Sequence, residues 1–199
     1  MAVGAGRAQY DTKDSGATVV RVFIAIDIPQ EIRNRLTGMQ TELRSTGNSA
    51  RWVAAESTHL TLRFIGEVAE KRREAIDAAL EGLTWKEFPV SVTGVGFFPG
   101  TRSPRVLWAG LQASTMEGLT QEIDTRLERA GFDREKRAFR PHITLARAKT
   151  SRLERTLVAA AEKFAETGFG SFTVDRCCLY QSTLKPTGSI YTKLKEYML

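Results

Sequence analysis

The sequence predicts an α+β fold of two related halves, each a mainly antiparallel sheet with flanking helices. Three observations predict it. Segments of strand and helix periodicity alternate along the chain. The order helix, strand, helix, strand, strand occurs twice, which suits antiparallel sheets with helices on one side. Several elements also recur at one spacing, 83 residues, which is the separation of His59 and His142.

The first strand is read over 21–27, a β-branched and apolar run ended by Pro29. A helix follows over 31–44, with Ile32, Leu36, Met39 and Leu43 at helical spacing, and Gly47-Asn48-Ser49 breaks it. Extended segments are expected at 51–53 and 59–65, the second punctuated by Gly66. A helix over 70–83 carries Ile76, Ala79, Leu80 and Leu83 on one face, and strands follow at 88–98 and 105–111. The second round gives a helix over 114–130, an extended segment 140–147, a helix 151–166 and strands 171–182 and 189–197. Shifted by 83, helix 70–83 falls on 153–166, strand 88–98 on 171–181 and strand 105–111 on 188–194. The strand 21–27 is expected to partner the first half's His segment, as 105–111 partners the second's.

The 199 residues, 42% hydrophobic and 26% charged, suit one domain or two small lobes sharing a core. The first 19 residues lack an apolar run and are read as a disordered tail, leaving 20–199 as a single bilobal domain. No stretch approaches 18 apolar residues, so no membrane span is expected. Cys177 and Cys178 are adjacent within a strand-like run. They cannot build a disulfide framework, and reduced thiols suit the cytoplasm. The net charge of +6, from 29 Lys and Arg against 23 Asp and Glu, favours polyanionic partners without naming a reaction.

The chemistry-bearing signal lies in the chain's two histidines. Each opens the pattern His-x-Thr-Leu: His59-Leu60-Thr61-Leu62 and His142-Ile143-Thr144-Leu145. A chance match is about one in a hundred for each, and about one in ten thousand for both. On a strand, residues i and i+2 share a face. His59 and Thr61 therefore point together, as do His142 and Thr144, with the leucines and Ile143 in the core behind. Related halves would face these displays across a cleft. Two imidazoles can divide acid and base work near neutral pH, and the hydroxyls can bond phosphate oxygens. Arg51, Arg63, Arg140 and Arg147 flank the motifs as candidate phosphate contacts. Arg63 and Arg147 stand four and five residues after their histidines, on opposite parity. Phe23, Trp52, Phe64, Trp108, Phe139 and Tyr191 lie near the motifs as core or base-stacking candidates. Two histidines without cysteine or carboxylate spacing make a poor metal site, and there is no P-loop and no G-x-S-x-G elbow.

At these residues the chain resembles the two-histidine phosphoesterases, and within them the bacterial and archaeal RNA 2′,3′-cyclic phosphodiesterases, also called 2′-5′ RNA ligases. The resemblance runs from about Arg21 to Tyr197. It rests on both His motifs and on Arg51-Trp-Val53, Pro104-Arg-Val-Leu-Trp108, Phe139-Arg-Pro-His142 and Leu184-Lys-Pro-Thr-Gly-Ser-Ile-Tyr191. It implies a bilobal fold around a central cleft and hydrolysis of a 2′,3′-cyclic phosphate to a 2′-phosphomonoester, without metal or cofactor. His59 and His142 would be catalytic, Thr61, Thr144 and Arg147 would bind phosphate, and Arg63, Arg140 and Phe23 are RNA-contact candidates. The expected order has His142 as base and His59 as acid, an assignment that sequence does not decide. An RNA 5′-OH attacking in place of water would form a 2′-5′ linkage. The implied partner is RNA with a cyclic phosphate end, tRNA fragments included, or a cyclic nucleotide, handled by a cytoplasmic monomer. The rival readings are a phosphodiesterase for small cyclic nucleotides or 2′-5′ oligonucleotides, and a non-catalytic RNA-binding protein.

Overall fold

The computed structural model describes residues 18–47, 50–185 and 188–199. The tail expected over 1–19 lies outside the described residues up to residue 17, and its last residue, Val19, already begins a strand. The elements are β1 (Val19–Asp27), α1 (Gln30–Arg44), β2 (Ala50–Trp52), β3 (His59–Ala69), α2 (Glu70–Leu80), β4 (Phe88–Phe98), β5 (Val106–Gln112), α3 (Met116–Arg129), β6 (His142–Ala148), α4 (Arg155–Ala161), β7 (Gly168–Val174), β8 (Arg176–Lys185) and β9 (Gly188–Met198).

Two of the expected elements change. The strand expected over 171–182 is two strands, β7 and β8, parted at Asp175, whose carbonyl accepts the Leu199 N–H at 2.8 Å. The helix expected over 151–166 shortens to α4 and one 3₁₀ turn, Glu162–Phe164.

The strands form one sheet in the order β7-β4-β5-β6-β3-β1-β8-β9, with β2 added on β6, and the described pairings are antiparallel. The sheet has a His59 half (β3-β1-β8-β9) and a His142 half (β7-β4-β5-β6). They join through the pair Leu60↔Ile143, both fully buried. Truncating either side chain to Ala would cost about 2–5 kcal/mol at the seam between the histidines.

β1 partners β3 and β5 partners β6, as the repeat predicts. The third strand of each repeat, however, crosses over. β4, which follows β3 and α2, pairs with β5 in the His142 half, and β8 pairs with β1 in the His59 half. The match of 105–111 with 188–194 does not hold in space, because β5 is interior and β9 is an edge strand on β8 alone. The strand break at Asp175 lets β7 stay with β4 while β8 changes halves.

The apolar stripes of the helices cover the sheet. Ile32, Leu36, Met39 and Leu43 of α1, Ile76 and Leu80 of α2, Leu119, Ile123 and Leu127 of α3 and Leu157 of α4 belong to one buried cluster with the strand leucines, valines and isoleucines. Strand side chains of the other parity are left for the opposite face, where both histidines sit.

Candidate active site

His59 and His142 are the first residues of β3 and β6. The pair Leu60↔Ile143 in an antiparallel register sets His59 opposite Thr144 and Thr61 opposite His142. All four side chains share the face opposite the buried Leu60 and Ile143, as alternation requires.

Each imidazole is tethered in the same way. His59 Nδ1 lies 2.8 Å from the Ser57 carbonyl, and His142 Nδ1 lies 2.7 Å from the Arg140 carbonyl. A carbonyl only accepts, so Nδ1 carries the hydrogen in both neutral rings and Nε2 keeps its lone pair. Ser57 and Arg140 are themselves 83 residues apart, so the tether is part of the repeat. Arg140, expected as an RNA contact, contributes its backbone here, and its side chain is exposed.

The rest of the motif is set by a bulge. In β3 the register with β1 slips between Ile24↔Arg63 and Ala25↔Thr61, leaving Leu62 unpaired. In β6 the register with β5 slips between Leu107↔Ala146 and Trp108↔Thr144, leaving Leu145 unpaired. The fourth residue of each motif is thus the bulged one. A bulge resets alternation, so the residue five after each histidine, and not the residue four after, returns to the histidine face.

This reverses the placement of the two arginines. Arg147 comes to the histidine face, and its positive charge bears on both imidazoles. Arg63 turns away and is 8% exposed. Its Nε donates to Asp124 Oδ1 of α3 at 2.5 Å, Nη1 donates to the Phe64 carbonyl at 2.6 Å, and Nη2 donates to the Asp133 carbonyl. Arg63 is therefore a buried tie between β3 and α3, not an RNA contact. The counterpart of Arg147 in the His59 half is Phe64, exposed beneath the Arg21 guanidinium at 4.8 Å.

The two histidines differ in surroundings. The His59 ring touches Phe23 (centroids 4.8 Å), Tyr191 (4.9 Å, edge-on) and Tyr180 (6.5 Å). Phe23, expected as an RNA contact, is only 2% exposed. Packed against both His59 and Tyr180, it supports the ring and offers no open face to a base. His142 meets one aromatic ring, Phe98, edge-on at 4.9 Å, and Phe98 leans on Trp108 at 5.2 Å. Gly96 permits this wall: a Cβ there would lie 2.3 Å from Trp108 Cζ2.

Burial pushes the His59 pKa down to about 4; the Ser57 carbonyl and Asp27 oppose this, while Arg147 and Arg33 add to it. Burial also lowers His142, against the Arg140 carbonyl and with Arg147. Four groups near His59 were not singled out from sequence: Asp27, Lys193, Tyr180 and Arg33. Asp27 pairs with His59 across β1 and β3. Burial raises its carboxyl, but Lys193 (2.7 Å) and the Tyr180 hydroxyl outweigh that and hold it low. Arg33 of α1 faces both Asp27 and His59. No spacing rule in the sequence points to these contacts, which arise between elements far apart in the chain.

Among the described residues, one group has metal-ligand spacing: Asp27, Cys178 and Glu196. The Lys193 ammonium already sits there, 2.7 Å from Asp27 and 2.6 Å from Glu196, and burial raises the Cys178 thiol to about 11. The donor set suits an ammonium better than a metal ion, which would need the thiolate.

The chain is 33% identical over 179 residues to an RNA 2′,3′-cyclic phosphodiesterase of Methanocaldococcus jannaschii, covering 89% of this chain and 100% of that one. It is 31% identical over 183 residues to the RNA 2′,3′-cyclic phosphodiesterase of Escherichia coli K12, covering 90% and 96%. The crystal structure of TT0787 of Thermus thermophilus superposes with a TM-score of 0.76 at 29% identity, over 90% of this chain and 97% of that one. That of E. coli LigT complexed with 3′-AMP gives 0.73 at 28%, over 92% and 99%. The LigT-like phosphoesterase model matches residues 26–108 and 111–191, one block around each histidine motif, and the chain belongs to that family.

Proposed function

We propose that this protein hydrolyses RNA 2′,3′-cyclic phosphate ends to 2′-phosphomonoesters by acid–base catalysis between His59 and His142, without a metal ion. The observation that carries the reading is the twin tether. Two imidazoles on one face each spend Nδ1–H on a backbone carbonyl and keep Nε2 for proton transfer.

In the proposed reaction one neutral Nε2 takes a proton from water as its oxygen attacks phosphorus. The P–O3′ bond breaks, and the second imidazole, protonated, gives its proton to O3′. Thr61, Thr144 and Arg147 hold the non-bridging oxygens. The surroundings favour His59 as base and His142 as acid, the reverse of the order expected from sequence. His59 touches three aromatic rings and resists protonation, whereas His142 touches one. An RNA 5′-OH in place of water would leave a 2′-5′ linkage through the same steps.

The names of the relatives support RNA ends as substrate; a cytoplasmic setting and tRNA fragments as candidate substrates belong to the same proposal. The E. coli LigT complexes with 3′-AMP and ATP favour a second reading, turnover of small cyclic nucleotides at the same site. Turnover of a cyclic-phosphate-ended oligonucleotide and of the matching cyclic mononucleotide, compared by kcat/KM, separates the two. Preference for the oligonucleotide supports the first reading and preference for the mononucleotide the second.

A further inference from the structure

We propose that the His142 half carries a second anion subsite, built from Arg102, Arg152 and Arg155, that holds a phosphodiester of the RNA strand upstream of the reacting end. The inference rests on the proposed action at RNA ends and adds the direction in which the strand lies.

A concavity of about 160 Å³ opens where the turn between β4 and β5 meets the segment after β6. Arg102 lines it from the turn, Arg152 from the segment leading into α4 and Arg155 from the first turn of α4, with Thr101 beside them. The three arginines are exposed, and none forms an ion pair among the described residues. Glu162, the carboxylate in the lining, is likewise paired with none of them. Three guanidinium groups around one concavity outnumber its one carboxylate, and an anion between them offsets their mutual repulsion.

The walls of the concavity are fixed. Leu153 N–H donates to the Pro104 carbonyl at 2.7 Å, and Ala148 N–H donates to the Arg105 carbonyl at 2.8 Å. These bonds clamp the two segments together, and the buried Leu153 forms the floor.

The turn between β4 and β5 links the subsite to His142. Phe98 touches the His142 ring, and Arg102 stands four residues further on, a reach of at most about 14 Å. Val106, at the other end of the turn, pairs with Arg147. Segments 101–105 and 147–155 together hold six basic residues (Arg102, Arg105, Arg147, Lys149, Arg152 and Arg155) against one acidic residue, Glu154. The face around His59 is instead aromatic, with Asp27, Lys193 and Glu196 paired among themselves. A strand whose cyclic phosphate lies between the histidines finds this run of cations on the His142 side.

The test compares a 2′,3′-cyclic mononucleotide with a six-nucleotide RNA ending in 2′,3′-cyclic phosphate, for the wild type and for the triple variant Arg102→Ala, Arg152→Ala, Arg155→Ala. The expected result is a fall of about tenfold or more in kcat/KM on the RNA, with the mononucleotide unchanged. The mononucleotide also reports that the variant is folded. The salt dependence of RNA binding, followed by fluorescence anisotropy, should flatten by about 0.7 in log–log slope for each phosphate that is no longer neutralised. Equal loss on both substrates, or no loss on the RNA with an unchanged slope, overturns the subsite. If the wild type turns over neither substrate, the functional reading fails, and the anisotropy slope of the triple variant still decides the subsite.

Discussion

A neutral, desolvated His59 makes folding stability depend on pH in a calculable way. An unfolded chain protonates this ring below its ordinary value of 6.5, while the folded protein resists until about 4. Between those values the unfolded state binds the extra proton, so stability is full above 6.5 and falls as the pH drops. Each pH unit crossed between the two values costs about 1.4 kcal/mol, so this one group removes about 2 kcal/mol at pH 5 and about 3 kcal/mol at pH 4. His59→Gln keeps a polar side chain but removes the titration. Urea unfolding of both proteins at pH 7.5 and pH 5 isolates the effect, because carboxylate contributions cancel in the difference. With a slope of about 2 kcal/mol/M, the wild-type midpoint should fall by about 1 M more than that of the variant. Parallel falls in the two proteins would refute the claim that His59 is buried as a neutral ring.

Other outcomes follow from the bulge and the aromatic wall. Arg147→Ala should lower kcat/KM by about 10²-fold through loss of a charge-assisted phosphate contact, with Arg147→Lys recovering part of it; wild-type kinetics in the Ala variant would remove Arg147 from the site. Arg63→Met should cost about 1–3 kcal/mol in chemical denaturation, since it strips the half-buried Asp124 and two backbone carbonyls of their donor, while kcat at low temperature stays near wild type. Gly96→Ala should destabilise by about 1–3 kcal/mol and lower kcat, because its Cβ displaces Trp108 and with it the Phe98 support of His142; unchanged kcat would show that this wall does not position the ring.

The sequence exposed the centre of this site better than its edges. His-x-Thr-Leu reads directly as a paired display because alternation over three residues is local, and the offset of 83 carries the symmetry. The display stops being readable at the leucine, where the bulge exchanges the faces of Arg63 and Arg147. A bulge belongs to the pairing of two strands, β3 with β1 and β6 with β5, so neither strand announces it alone. The exchange of β4 and β8 between halves is hidden for the same reason. Periodicity identifies a strand but not its neighbour, and the break at Asp175 falls inside an otherwise continuous strand-like run. Phe23 read correctly as near the site, yet its burial against Tyr180 depends on β8, whose place no local rule supplies.

The symmetry is useful where it fails. Matching tethers, matching bulges and matching threonines give two equivalent half-sites. The residues around them differ: Phe64 against Arg147, and an aromatic cage against a single phenylalanine. Equivalent imidazoles in unequal surroundings can hold different protonation states, which is what acid–base catalysis by a pair requires.

The most direct test is hydrolysis of a cyclic-phosphate-ended RNA in EDTA by the wild type, His59→Ala and His142→Ala. The account predicts a 2′-phosphate product in chelator and a loss of about 10²-fold or more in each variant. RNA binding that survives in all three proteins, with no turnover of any cyclic phosphate, would contradict it and leave an RNA-binding protein in its place.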